Sequence, residues 1–214
     1  ELEGRTGFAH LFEHLLFLES ENLGKGGLDK MSSRIGGSGA NGSTSRDRTN
    51  YFQTVPNDAL EKMIWAEADK LGYFINTVTD AVLAKEKQVV KNEKRQGDNQ
   101  PGGLVFYEII KALYPEGHPY DHNVIGSMAD LDAATMSTVQ NWFRDNYGPN
   151  NATLVIGGDF DPAQAMKWGE AYFGCLPRGP EVPKPDCSSQ GPIGQALVTA
   201  AALGPPSPIE DEGL

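Results

Sequence analysis

The sequence predicts an α+β fold, a mixed or antiparallel sheet covered by helices. Three observations point there. Apolar residues recur at helical spacing in several segments. The stretch Arg48 to Val55 concentrates Thr49, Tyr51, Phe52, Thr54 and Val55, which suit a pleated surface. Ala152, Thr153, Leu154, Val155 and Ile156 form a short run closed by Gly157. At 214 residues the chain can bury the core of one domain, or at most two small ones.

Taken in order, residues 7–18 read as a buried helix, since nearly every position is apolar. A Gly-rich turn at Gly24 to Gly27 precedes a short helix from Leu28 to Ile35, which Gly36, Gly37 and Gly39 then break. A strand pair follows, Gly39 to Ser45 with Arg48 to Val55, and Pro56 ends it. Asn57 or Asp58 caps a helix to about Tyr73 that sets Leu60, Met63, Ile64, Ala68 and Leu71 at core spacing. Thr79 caps a longer helix to about Gln96, with Val82, Leu83, Val89 and Val90 on its apolar side. Glu86 and Glu93 lie two turns apart on it, on a shared face. Pro101 to Leu113 suggests another helix, followed by a loop that runs toward Met128. Ala133 to Tyr147 carries Met136, Val139, Trp142 and Phe143 at helical spacing. Asn150 to Gly157 reads as a central strand, and Pro162 starts a helix to about Phe173. From about residue 181 a Pro-rich linker or tail is expected, apart from Gln195 to Leu203. No internal repeat is visible.

The formal net charge of −11 argues against phosphate-backbone binding, which needs clustered Lys and Arg, so a nucleic-acid partner is not expected. Apolar runs fall far short of the roughly 18–20 residues of a membrane span, so none is expected. Cys175 and Cys187 could pair, but two free thiols suit a chain of this size as well, and no Cys-x-x-Cys metal pattern occurs. The chain opens at Glu1 with no signal-like segment, so location stays open, with the bacterial periplasm or secretion favoured over the cytoplasm.

The run His10-Leu11-Phe12-Glu13-His14 carries the chemistry. On a helix, positions i, i+3 and i+4 share a face, so His10 and His14 can aim two ring nitrogens at one metal with Glu13 in the same patch. A zinc ion held by two His and one more ligand keeps a place for water, whose pKa falls to about 7, and a nearby carboxylate can take that proton. The order inverts His-Glu-x-x-His and is the inverzincin pattern. Two satisfied core histidines are the bland alternative. The third ligand is open on residue physics alone. His118 and His122 sit in a polar loop and read as loop histidines. Glu86 and Glu93 are better placed, although a solvated helical face would also explain either one.

The motif, followed by Glu86-Lys87-Gln88-Val89-Val90-Lys91-Asn92-Glu93, resembles the pitrilysin-type family of inverzincin zinc metallopeptidases. The resemblance extends over Gly36-Gly37 to Asn41, Thr44 to Phe52, His118-Pro119-Tyr120, Val124 to Ser127 and Tyr147 to Ala152. It covers about residues 4–180 and is similar to bacterial members in particular. It implies that residues 1–180 form the catalytic half-domain. His10, His14 and Glu93 would bind one zinc ion, Glu13 would be the general base, and Glu86 would be a supporting acid. It further implies that Ala40 to Thr44 is an edge strand to which an extended peptide adds, with Ala40, Asn41 and Gly42 in contact with it. Phe17 would line the primed-side pocket, although by composition plain core packing accounts for it at least as well.

Two departures bear on function. Family members set strands upstream of the zinc helix, and a homologous second half-domain closes a chamber over the substrate; neither is visible here. The resemblance therefore implies a zinc endopeptidase acting on peptides or unfolded polypeptides. The alternative is a catalytically weak half-enzyme or structural subunit that needs a partner domain, supplied by a second half or by a homo- or hetero-oligomer.

Overall fold

Buried apolar side chains crowd one short helix, α1 (Phe8–Leu16), and the rest of the fold is arranged around it. The computed structural model describes residues 4–183. After α1 come α2 (Gly27–Arg34), β1 (Ser38–Thr44), β2 (Thr49–Thr54), α3 (Leu60–Tyr73) and α4 (Asp80–Asp98). The chain continues with α5 (Val105–Leu113), α6 (Met128–Ala133), α7 (Met136–Asn146) and α8 (Pro162–Phe173). β1 and β2 form an antiparallel hairpin, with Gly42 opposite Tyr51 and Thr44 opposite Thr49. The predicted α+β class holds, with one small sheet set among helices.

Leu11, Phe12 and Leu15 are fully buried among Phe74, Leu83, Val90, Leu131 and Val139. Each such side chain contributes roughly 1.5–3 kcal/mol by leaving water. Phe12 is ringed by Tyr147, Phe74, Trp142 and Phe143 at centroid distances of 5.4–6.5 Å. A second cluster, Leu28, Met63 and Ala66, supports the hairpin, with Phe17 and Val55 packed against it. α8 rests on α3, where Leu176 lies so close over Gly72 that a Cβ there would come within 2.4 Å of it.

Two glycines fix where α1 begins. Gly7 (φ +85) and Gly126 (φ +78) cross so closely that a Cβ on Gly7 would lie 2.5 Å from the Ile125 carbonyl oxygen. The Thr6 amide and hydroxyl donate to Asp130 Oδ2 (2.9 and 2.5 Å), and the Ser127 amide donates to Thr6 Oγ1 (3.0 Å). α4 is tied down on its far side. Lys87 Nζ donates to the carbonyls of Asp132 (2.7 Å) and Ala134 (2.9 Å), and Lys91 Nζ pairs with the Asp132 carboxylate at 2.7 Å. These anchors set the rotation of α4 and hence the direction of its acids.

Several elements depart from expectation. Residues 152–157 form no strand: Ala152 is extended, but no described segment pairs with it, and Leu154 and Val155 are exposed. A strand is made by its partner's ladder rather than by its own residues. The helix expected over Ala133 to Tyr147 is α7 alone, with the unexpected α6 ahead of it. Ser127 and Thr135 each accept a hydrogen bond from the amide three residues on, so two caps make two helices. α5 starts at Val105 because Gly102 (φ +76) holds a turn. Val89 faces outward at 39% exposure, since Leu83, Glu86, Val90 and Glu93 share one face of α4 and Val89 sits a step off it. The expected Thr79 cap is present, as is Pro162 in the first turn of α8. Cys187 and Gln195 to Leu203 lie outside the described residues.

Candidate metal centre

α1 and α4 cross with their functional faces together. His14 Nε2 lies 3.3 Å and His10 Nε2 3.8 Å from Glu93 Oε2. The two imidazoles stand edge to face, 4.8 Å between centroids. One ligand atom from each of His10, His14 and Glu93 falls within 4.8 Å of the others, making this a group that could hold a metal ion. A tetrahedral zinc ion with bonds of about 2.0–2.1 Å sets its ligand atoms about 3.4 Å apart, so small side-chain movements suffice. Two imidazole nitrogens and a carboxylate oxygen are also the right donors. The site fits zinc.

The surroundings are graded. Glu93 is half exposed on the open side, whereas Glu86 is buried, its Oε2 3.9 Å from His14 Nδ1. Glu86 therefore faces the ring nitrogen of His14 turned away from Glu93. That is too long for a hydrogen bond and leaves Glu86 a neighbour of the ring. Glu13 projects from the adjacent turn of α1 toward the hairpin, where its Oε2 accepts the Thr44 hydroxyl hydrogen bond. His118 stacks on Tyr114 and His122 lies beside Asp121 at 3.4 Å, and neither joins the metal group.

The hairpin lies over α1 at close range. A Cβ on Gly42 would meet Glu13 Cγ at 3.0 Å and Phe17 Cε2 at 3.1 Å, so β1 can pass over the acid only because this residue has no side chain. Ala40 and Asn41 precede it on β1, Asn41 exposed and accepting the Gly42 amide at 2.8 Å. β1 pairs with β2 on one edge, and no described strand covers the other. Phe17 is partly buried, 5.6 Å from the Tyr51 ring.

Several contributors escaped the sequence reading. Lys70 is 2% exposed, paired with Glu67 at 3.0 Å, and its ammonium lies 5.2 Å over Phe17 and 5.0 Å over Tyr51. Its spacing from the buried Met63 and Ala66 was the available signal. Behind Glu13, the hydroxyls of Tyr51 and Tyr147 lie 3.0 Å apart. Burial, then the neighbouring Tyr147, pushes the Tyr51 phenol well up, and burial lifts Tyr147 to about 12, so both stay neutral near the acid. Thr44 could not have been found from spacing.

Residues 1–122 match the family described as insulinase, peptidase family M16. The chain belongs to the M16 peptidase family. Residues 133–205 match the M16 peptidase inactive domain, a match that runs past residue 180. Over 177 residues the chain is 33% identical to the zinc protease PqqE of Helicobacter pylori, covering 82% of this chain and 39% of that one. It is 25% identical over 188 residues to the beta subunit of the mitochondrial-processing peptidase of Saccharomyces cerevisiae, covering 88% and 40%. The crystal structure of a protease from Helicobacter pylori superposes with a TM-score of 0.80 at 31% identity, over 87% of this chain and 44% of that one. Pitrilysin superposes at 0.66 with 22% identity, over 86% and 20%, a likeness of fold. This M16 chain thus spans about two fifths of the length of the curated relatives it matches. Its relatives' names make peptidase chemistry with zinc the family's description. Among the described residues no helix is long and apolar enough to cross a membrane.

Proposed function

We propose that this M16 chain is a zinc-dependent endopeptidase of peptides or unfolded polypeptides, in which His10, His14 and Glu93 hold one zinc ion and Glu13 is the general base. The convergence of those three ligands beside Glu13 carries the reading. Zinc held by His10, His14 and Glu93 would supply Lewis acidity toward the scissile carbonyl and would lower the pKa of water so that it loses a proton more readily near neutral pH. Glu13 takes the proton of the attacking water and delivers it to the leaving amine. The Thr44 hydroxyl donates to that carboxylate, and Glu86 stands as a supporting acid 3.9 Å from the other ring nitrogen of His14. An extended peptide adds to the open edge of β1 along Ala40 to Gly42, bringing its backbone over Glu13, with Phe17 at the wall of the adjoining pocket.

The match of residues 133–205 to an inactive domain, with the partial span of the relatives, favours a second reading. In it, the chain binds zinc and peptide and turns over only with a homologous partner half or subunit.

Hydrolysis of a quenched fluorescent peptide, with zinc content measured on the same samples, separates these. Glu13→Gln should keep about one zinc and lose cleavage by at least the 10²–10⁴-fold of a general base, and His14→Ala should lose both. Equal cleavage by parent and Glu13→Gln refutes the mechanism. No cleavage at full zinc by the parent selects the second reading.

A further inference from the structure

Two residues past the end of β1, Arg46 is half-buried with its guanidinium over the rings of Tyr114 (4.9 Å) and Tyr120 (5.2 Å). Those rings are themselves fixed. They meet edge to face at 5.7 Å, Tyr114 stacks on His118 at 4.8 Å, and the Tyr120 hydroxyl donates to Asp47 Oδ1 at 2.6 Å. Ring faces satisfy the face of a guanidinium and leave its in-plane N–H donors for an acceptor. Among the described residues, no carboxylate pairs with Arg46 within 4.0 Å. A small open cleft lies beside it, lined by Ala9, Ser45, Arg46, Pro119, His122 and Val124. Ala9, on the wall of this cleft, immediately precedes the metal-group residue His10 on α1.

We propose that this cleft is a subsite for a carboxylate of the bound peptide, and that Arg46 selects an acidic side chain close to the scissile bond. The inference rests on the proposed addition of peptide along β1. Glu13 meets β1 at Thr44, and Arg46 stands in the tight turn just beyond, closed by the Ser45 amide donating to the Arg48 carbonyl (2.7 Å), so a peptide lying along β1 runs toward Arg46 at that end of the strand. The acidic residue therefore falls toward that end of the bound peptide. A planar guanidinium braced by two rings is preorganised for bidentate capture, which a flexible surface lysine is not. The overall charge of −11 repels acidic peptides at long range, so the preference is local.

The test uses the full chain loaded with zinc and two peptide sets. One set is blocked at both ends with Glu replacing Gln at each position in turn, and the other carries Gln throughout with a free C-terminus. Binding to the Glu13→Gln protein is read by fluorescence anisotropy, and cleavage by the parent runs in parallel. One Glu position should bind about tenfold tighter than its Gln counterpart. In Arg46→Met, whose stem still covers the tyrosine rings, the ratio should fall to about one. In Arg46→Glu a Lys should be preferred at that position instead. Preference for the free C-terminus alone would overturn the side-chain assignment, and a ratio unchanged in Arg46→Met, or no peptide binding at all, would overturn the subsite. Glu13-dependent cleavage with no Arg46-dependent preference leaves the peptidase reading standing without it. An Arg46-dependent binding ratio without cleavage leaves the subsite standing without turnover.

Discussion

Replacing Gly7 by Ala tests whether the crossing of residues 6–7 with residues 125–127 sets the position of α1. An L-residue at φ +85 costs about 1–2 kcal/mol in backbone conformation. The added Cβ would also sit 2.5 Å from the Ile125 carbonyl oxygen and 2.9 Å from Gly126 Cα, both backbone atoms, and overpacking of this kind costs about 1–3 kcal/mol more. Gly24→Ala is the control, because Gly24 has φ +69 with nothing within 4 Å and bears only the backbone cost. The difference between the two, about 1–3 kcal/mol, corresponds to roughly 2–12 °C in melting temperature for a chain of this size. Thermal unfolding of both variants with the parent gives it directly. Gly7 lies three residues before His10, so relieving the clash moves the first turn of α1 and zinc affinity should fall in Gly7→Ala alone. Equal melting temperatures for the two variants would refute the close crossing.

Phe12→Ala empties a fully buried site ringed by aromatic side chains and should cost about 3–5 kcal/mol, read as a lower urea midpoint at unchanged slope. For Asp130, burial pushes the carboxyl up but hydrogen bonds from Thr6 and Ser127 more than offset it, leaving the pKa below its ordinary value. Its contribution is therefore present above the unfolded carboxylate pKa and lost as pH falls through the folded one. Thr6→Val should flatten that acid limb, and a limb of unchanged steepness would refute the assignment. Tyr147 titrates the other way: with its folded pKa raised to about 12, stability is intact below the unfolded value near 10 and falls as pH rises through that window. Tyr147→Phe should make the alkaline loss shallower in a pH series of unfolding curves.

Features that repeat locally were legible in the residues alone. The spacing of His10, Glu13 and His14 fixes them on one side of α1, and the seven-residue step from Glu86 to Glu93 fixes both acids on one face of α4, whatever surrounds them. Thr79 and Pro162 marked helix starts for equally local reasons. Tertiary structure decided which faces meet. Glu93 reaches His10 and His14 because Lys87 and Lys91 pin α4 to the residues around Asp132, more than forty positions away. Thr44 meets Glu13, and Arg46 lies on Tyr114 and Tyr120, across separations that no periodicity spans. Residues 152–157 show the converse: their β-forming composition makes no strand without a partner, because a strand's hydrogen bonds belong to the pair.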